Sequence, residues 1–526
     1  MSESKRQLSR FTAIFAAGTL LSRVLGLIRD MVVGSLIPAV SLDAFLVAFK
    51  LPNMLRDMLG EGATNAAFVP VLAESGEKDS EEQYRGLVGG LMSAMLLVFA
   101  GLTLVGVLLM PLFPAALDML RPLTGAPPKD LAQLGVTVRL LQWTFPYLFL
   151  IGMAVFAMAP LFVAKRYGVS GWSPMLLNLA LIGSCLLLRD QFADPAWALV
   201  VGVWLGGIAQ LIAMYASLWK ETGILLPNFR IFQPGVGKAF LLLAPIIAGQ
   251  ATGEVNKLVD SFFAYSLEEG TVTSLFYANR LVQLPLSIFG IAVAVAILPS
   301  ISRAGARGED DAVRETLMHG MRQSFFLIAP AMAGLLLLRE PIVRLLFERG
   351  AFDASITDRA STALLYYGLG LLSFAWVRII VQGFYAVQNT KTPVIIASTC
   401  MFLNILLNCA LVGPLGFRGL ALSTSISFTL NFALLYALLG NRFGPLWDRD
   451  FLAGLSRMVL AVLIMGAVVY GIELRAEMHL GNETFLARFM LVALPVTAGA
   501  LVYGVVCWAL RMPELRQFTS VLRREK

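Results

Sequence analysis

Apolar runs of about eighteen residues or more recur along this 526-residue chain, and that recurrence dictates most of what it can fold into. In hydrocarbon every backbone N–H and C=O must be bonded within the protein, so only helices and closed barrels can span. The runs are too long and too continuously apolar for the alternating pattern of barrel strands. An all-α, polytopic membrane protein is therefore expected, with about fourteen spans near 10–36, 41–72, 86–112, 134–163, 172–188, 195–219, 237–266, 271–301, 321–346, 360–388, 392–413, 418–440, 452–473 and 484–510. A mean hydropathy of +0.76, with only 14% charged residues, excludes a soluble domain of this length.

The connecting segments are short, about 20 residues at most, which leaves no soluble catalytic domain. With the N-terminus inside, 22 Lys and Arg fall on inside segments, among them Lys78, Arg85, Lys165, Arg166, Lys220, Arg230 and a tail ending at Lys526, against about nine outside. Both termini are thus expected in the cytoplasm, and the polar start MSESKRQLSR lacks a signal-peptide cleavage site. Only His319 and His479 represent histidine, and there is no paired-carboxylate motif and no phosphate-binding G-x-x-x-x-G-K loop. A non-enzymatic role follows, with no catalytic residue, no firm metal site and no nucleic-acid partner. Cys185, Cys400, Cys409 and Cys507 lie in apolar runs and read as core residues.

Against this background, charged side chains inside spans stand out, because each costs several kcal/mol unless it faces water or a partner. They gather in SRVLGLIRD and DAFLVAFKLPNMLRDMLGEG near the start, and in EVNKLVD and YANRLVQLP near the middle. The clusters read as net basic, with Arg23, Arg29, Lys50, Arg56, Lys257 and Arg280 exceeding the carboxylates placed to neutralise them, and so as a cationic cavity for an anion. Arginine suits phosphate because its planar fork donates to two oxygens and keeps its proton. Gly18 and Gly26 allow a neighbouring helix or ligand to come close to Arg23 and Arg29. Asp43 and Lys50 are two turns apart on one face, and Pro52 should free backbone carbonyls of a kind tolerated beside a cavity. Arg56 has Asp57 and Glu61 as potential ion-pair partners. Glu254, Lys257 and Asp260 form a charge network able to neutralise itself, whereas Arg280 has only Asn279 and Gln283 near it. Asp260 with Asn404, Asn408 and Thr424 offers hard oxygens for a small cation, although asparagine on a helix face can equally bond a neighbouring helix.

The clusters also resemble each other. FLVAFKLPNML (45–55) aligns with LFYANRLVQLP (275–285), setting Lys50 opposite Arg280, and FVPVLAE with ILPSISR sets Pro70 opposite Pro299, both near an offset of 230. MLLNLALIG (175–183) aligns more weakly with MFLNILLNC (401–409). A parallel repeat of two six-helix lobes is expected, 1–235 and 236–445, facing each other around a cavity and giving alternating access. A helix pair and basic tail (446–526) lie outside it.

GTLLSRVLGLIRD, DAFLVAFKLPNMLR, EGATNAAFVPVLAE, YANRLVQLPLSIFGIAVAVAILPSIS and GFYAVQNTKTPV together resemble the MurJ (MviN) family of lipid II flippases, of the multidrug/oligosaccharidyl-lipid/polysaccharide exporter superfamily. The resemblance covers essentially the whole chain. It implies fourteen transmembrane helices, a groove formed by the last two, and transport of the undecaprenyl-pyrophosphate-linked peptidoglycan precursor across the bacterial inner membrane. Membrane lipids and cell-wall synthesis proteins are the partners it implies. By position it carries substrate contact to Arg23, Arg29, Arg56 and Arg280, with Asp43 and Lys50 as further functional positions. A sodium site of a related flippase falls on Asp260, Asn404, Asn408 and Thr424, with Asn408 replacing a carboxylate. Coupling to Na+ or to membrane potential is the corresponding expectation; no organic cofactor is implied.

Two other readings share the superfamily. A flippase for another polyprenyl-linked oligosaccharide would use the same clamp, because the clamp reads pyrophosphate. A drug/cation antiporter would need an acidic, aromatic cavity. A membrane glycosyl- or phosphotransferase lacks its acidic or metal motif, and a passive scaffold would not explain intramembrane arginines.

Overall fold

The computed structural model describes residues 3–60, 63–125, 127–166, 168–223, 225–481 and 483–516, without side chains for 3–17, 19, 59, 60, 63 and 248. Glu61, the side chains of Lys5, Arg6 and Arg10, and the basic tail beyond Arg516 lie outside the described residues. Among the described residues the chain is helical with no strand, as the apolar runs require. It divides into two compact units, Met1–Val272 with Arg349–Phe352, and Thr273–Glu348 with Asp353–Lys526.

The first unit holds α1 (Glu3–Leu36), α2 (Ala39–Gly60), α3 (Ala63–Lys78), α4 (Glu81–Leu109), α5 (Phe113–Thr124), α6 (Leu131–Thr144), α7 (Tyr147–Phe156), α8 (Met158–Val163), α9 (Gly168–Leu188), α10 (Ala196–Thr222) and α11 (Pro234–Ser266). Helix α1 lies along α9, where a Cβ on Gly18 would stand 3.0 Å from the Gly171 carbonyl, so the small residues admit a helix. Helix α2 packs on α6, α7 and α11. Pro52 removes the donor that Ala48 O would otherwise receive. That carbonyl does not face a cavity: the buried Thr144 hydroxyl on α6 lies 3.0 Å from it and shares its proton with Leu140 O at 2.9 Å. Residues 349–352 complete the unit. Ala351 N–H donates to Ser35 O at 2.8 Å, and at Gly350 (φ +56°) a Cβ would stand 2.2 Å from that oxygen, which requires glycine.

The second unit begins two residues into α12 (Thr271–Pro285), which continues through one π-helical turn, Leu286–Gly290, into α13 (Ile291–Arg307). It then holds α14 (Asp310–Leu337), α15 (Arg339–Phe347), α16 (Ala354–Leu369), α17 (Leu371–Ala386), α18 (Lys391–Leu415), α19 (Phe417–Phe443), α20 (Arg449–Leu480) and α21 (Phe485–Ala509). Helices α2 and α12 each carry a basic residue, Lys50 or Arg280, and α3 and α13 each contain an internal proline, Pro70 or Pro299. The last two helices join this unit's core. Met458, Met465, Tyr503 and Cys507 are buried with Phe326 and Trp376, the Tyr503 hydroxyl donates to Phe326 O at 2.8 Å, and Arg322 pairs with buried Glu514 at 2.6 Å. They buttress α14.

Among the described residues eleven helices are long and apolar enough to cross a membrane, or twelve if the bent Pro234–Ile247 and Gly249–Ser266 pair is one span. These correspond to twelve of the fourteen expected runs, and the chain is a multi-pass membrane protein. The other two runs are α1, partly outside the described side chains, and α2, whose Asp43, Lys50, Arg56 and Asp57 are too many charges for an apolarity criterion.

Replacing Thr144 by the near-isosteric valine strands the Ala48 carbonyl, and thermal unfolding in detergent should register a loss of about 1–3 kcal/mol. At the ends of α3 and α11, Glu74 bonds both Lys238 (2.6 Å) and Lys78 (2.9 Å). These cations pull its carboxyl from the ordinary 4.5 to about 2. The stabilisation is present above 4.5 and is lost as pH falls through about 2. Hydrogen exchange around residues 234–240 should accelerate over that window in the parent and lose the dependence in Glu74→Gln.

Candidate substrate-binding site

In the first unit, residues 22–30 of α1, 43–57 of α2 and 254–260 of α11 carry Arg23, Arg29, Lys50, Arg56 and Lys257, five cations matched by five acids, Asp30, Asp43, Asp57, Glu254 and Asp260. The expected numerical excess of positive charge is therefore absent there. What distinguishes the cations is how each is partnered. Arg29 is held by its buried neighbour Asp30 at 2.6 and 3.0 Å and donates to Asn178 Oδ1 on α9 at 3.0 Å. Asn178 in turn donates to Ser22 O at 3.1 Å, so one amide ties Arg29 to its own helix and to α9. Arg56 is bound to Asp57 at 2.5 Å, and Asp57 also accepts from Asn53 at 3.3 Å. Arg56 also reaches the buried Tyr147 hydroxyl, which lies 3.5 Å from Gln210 Oε1 on α10. Lys257 is paired with Glu254 at 2.5 Å.

Two cations differ. Arg23 is exposed on α1 and, among the described residues, makes no hydrogen bond or ion pair. Lys50 is half-buried on α2, within electrostatic reach of Asp57, Glu254, Asp260 and Lys257, yet forms no ion pair with any of them. Asp43, two turns before Lys50, is buried and accepts the Gly270 N–H at 2.7 Å, anchoring the loop that leads into α12. Near it Lys129 sits over the Tyr265 ring at 5.4 Å, and burial pushes its ammonium below the ordinary range. Tyr265 shares a 2.6 Å hydrogen bond with Thr137.

In the second unit Arg280 is exposed on α12, its guanidinium 5.3 Å from the Phe276 ring one turn back. Asn404 and Asn408 are buried on α18. Asn408 donates to Asn404 Oδ1 at 3.2 Å and accepts from Ser423 of α19, while the Thr424 hydroxyl donates to Leu420 O at 3.0 Å. These groups stitch α18 to α19, as Ser427 does through Cys400 O at 2.7 Å. Asp260 belongs to the first unit, beside Asn256. Among the described residues no group of three or more His, Cys, Asp or Glu side chains could hold a metal.

Two residues escaped the sequence reading. Asn178 is the interhelical partner of Arg29; its signal was the alignment of MLLNLALIG with MFLNILLNC, which sets it opposite Asn404. Arg378 is the sole charge in the run 360–388, lies exposed on α17, and among the described residues its guanidinium makes no hydrogen bond or ion pair. Gln382 follows it one turn on.

A double-mutant cycle tests the Arg29–Asp30 pair. Asp30→Asn should destabilise by about 3 kcal/mol because it leaves a poorly solvated arginine uncompensated, while Arg29→Gln with Asp30→Asn should recover about 1–3 kcal/mol as coupling energy in thermal unfolding.

A family model described as lipid II flippase MurJ matches residues 36–503. Probable lipid II flippases MurJ of Vibrio cholerae and Haemophilus influenzae are each 35% identical to the chain, over 514 and 500 residues, covering 96% and 92% of it and 90% and 96% of their own lengths. Among solved structures, a lipid II flippase MurJ in an inward closed conformation superposes with a TM-score of 0.78 at 24% identity, over 95% of this chain and 98% of that one. An inward-facing multidrug resistance MATE transporter of the MOP superfamily gives 0.66 at 14% identity, over 82% and 98%.

Proposed function

The chain belongs to the lipid II flippase MurJ family, and from that premise we propose that it moves lipid II from the inner to the outer leaflet of a bacterial inner membrane by alternating access. Its pyrophosphate cannot enter hydrocarbon unaided, whereas its isoprenoid tail can stay in lipid throughout. The protein's task is thus to replace the hydration of the anion during transit.

The observation that carries this reading is the pair of cations left over after internal pairing. Arg23 and Lys50 sit on helices rich in charge, and neither is joined to an acid by a direct ion pair among the described residues. A long unpaired cation at bilayer depth is costly when empty and is stabilised when an anion arrives. Arg29 and Arg56 would be a reserve: each is held by the aspartate beside it and can add a bidentate contact once phosphate competes for the guanidinium. Arg280 and Arg378 are the exposed cations of α12 and α17 that would meet an anion in the second unit. Asp43 we assign to anchoring α2 rather than to substrate.

Neutralisation of these cations on binding would favour one conformation over another and so couple substrate to the switch. Displacement of the unpaired Arg23 and Lys50 charges in the transmembrane field would make the return step respond to membrane potential. We route no step through a bound cation, because the Asn404 and Asn408 oxygens already accept side-chain hydrogen bonds. The excess of Lys and Arg on one set of connections supports cytoplasmic termini.

Depleting the protein should accumulate lipid II in the inner leaflet; an unchanged distribution would remove the proposal. In proteoliposomes, Arg23→Ala and Lys50→Ala should each slow outward exposure of lipid II about tenfold or more at equal insertion, with Arg23→Lys retaining part of the rate. Full rates in both alanine variants would overturn the assignment of these two residues.

A further inference from the structure

Between α10 and α11, residues 225–233 have a geometry that transport does not require. They do not form a free loop. Asn228 N–H donates to Gly89 O at 3.4 Å, and its side chain donates to Gly86 O at 2.7 Å. Phe229 N–H donates to Ser93 Oγ at 2.9 Å, and Arg230 N–H to Asn228 Oδ1 at 3.0 Å. The Gln233 side chain bonds Arg230 O at 2.8 Å and Gly86 O at 3.4 Å, while Arg85 holds Thr222 O at 2.9 Å. The chain therefore runs down one face of α4, turns at Phe229 beside Ser93, and returns past Gly90 and Gly86.

That face is cut to receive it. A Cβ on Gly89 would stand 2.8 Å from Leu226 O, and one on Gly90 2.7 Å from Arg230 O. The apolar run of α4 begins at Leu87, so Ser93 lies about 9 Å further along the helix axis. The Asn228, Phe229 and Arg230 N–H groups are all bonded within the protein, as a backbone that enters the edge of a bilayer requires. Phe229 is held at φ +54°, a conformation that L side chains rarely adopt. The outcome is a rigid display: Leu226, Phe229 and Phe232 are 69%, 61% and 97% exposed. Among the described residues neither Arg230 nor Lys220, at the end of α10, has an ion-pair partner.

Aromatic side chains at the edge of a span, beside unpaired cations, match an anionic lipid surface. We propose that the 225–233 strap is a membrane-interface anchor that seats Phe229 and Phe232 among acyl chains and holds the headgroup of an anionic phospholipid with Arg230 and Lys220. Its occupant is a lipid of the surrounding bilayer, independent of the transported substrate.

Native mass spectrometry of the full chain, released from nanodiscs of equal parts phosphatidylglycerol and phosphatidylcholine, tests this. The parent should retain phosphatidylglycerol preferentially. Arg230→Gln and Lys220→Gln should each lower the retained ratio about fivefold, whereas Phe232→Ser should reduce retention of both lipids. Phe232 is almost fully exposed, so its substitution does not disturb packing, and a spin label at Phe232→Cys should be more accessible to oxygen than to a water-soluble nickel chelate. Equal retention of the two lipids by the parent, an unchanged ratio in the Arg230/Lys220 double variant, a water-exposed label, or cross-linking of the label site to a second copy would each overturn the proposal.

Discussion

A charge or a backbone carbonyl placed in hydrocarbon has to find its partner inside the protein, and the architecture of this chain follows from how that demand is met. Helix α2 shows the demand most clearly. It carries Asp43, Lys50, Arg56 and Asp57, and its proline strips a donor from Ala48. All but Lys50 find a partner inside the first unit, Arg56 in the adjacent Asp57, Asp43 in the distant Gly270 N–H and Ala48 O in Thr144 on α6. Helix α1 repeats the pattern with Arg29, Asp30 and Asn178. Lys50 and Arg23 are what remains, so the candidate site is defined by subtraction, as the charge that internal pairing does not absorb.

This changes the meaning of a cationic site. Acids and bases are equal in number across residues 22–30, 43–57 and 254–260, so a numerical excess of positive charge in these segments is not the governing effect. Pairing geometry is. An aspartate adjacent to its arginine keeps that arginine stable in the absence of substrate, and the same guanidinium has further N–H groups with which to meet phosphate. Such a design lowers the cost of intramembrane arginine without removing its capacity for an anion.

The second unit uses neutral groups for the same purpose. Asn404, Asn408, Ser423, Ser425 and Ser427 join α18, α19 and α16 through side-chain hydrogen bonds, because apolar helices in lipid have little hydrophobic reason to associate. The alignment of MLLNLALIG with MFLNILLNC sets Asn178 opposite Asn404, yet Asn178 ties α9 to α1, whereas Asn404 accepts from Asn408 one turn on in its own helix. The C-terminal pair, which the repeat does not include, is bound to α14 by Tyr503 and by Glu514 with Arg322, so its packing role is clear.

Fold class, membrane residence and the identity of the charged helices were legible in the residues alone, because length and continuity of apolar runs and the rarity of charge within them are local properties. The expectation of a parallel repeat rests on the same kind of local signal, prolines and basic residues at one offset. Pairing was not. Whether Arg29 meets Asp30 or a ligand, whether the carbonyl freed by Pro52 faces a cavity or Thr144, and whether Asn408 offers its oxygen to an ion or to Ser423 depend on which helices lie alongside. Side chains far apart in sequence decide these outcomes, and only the packed structure brings them within hydrogen-bonding distance.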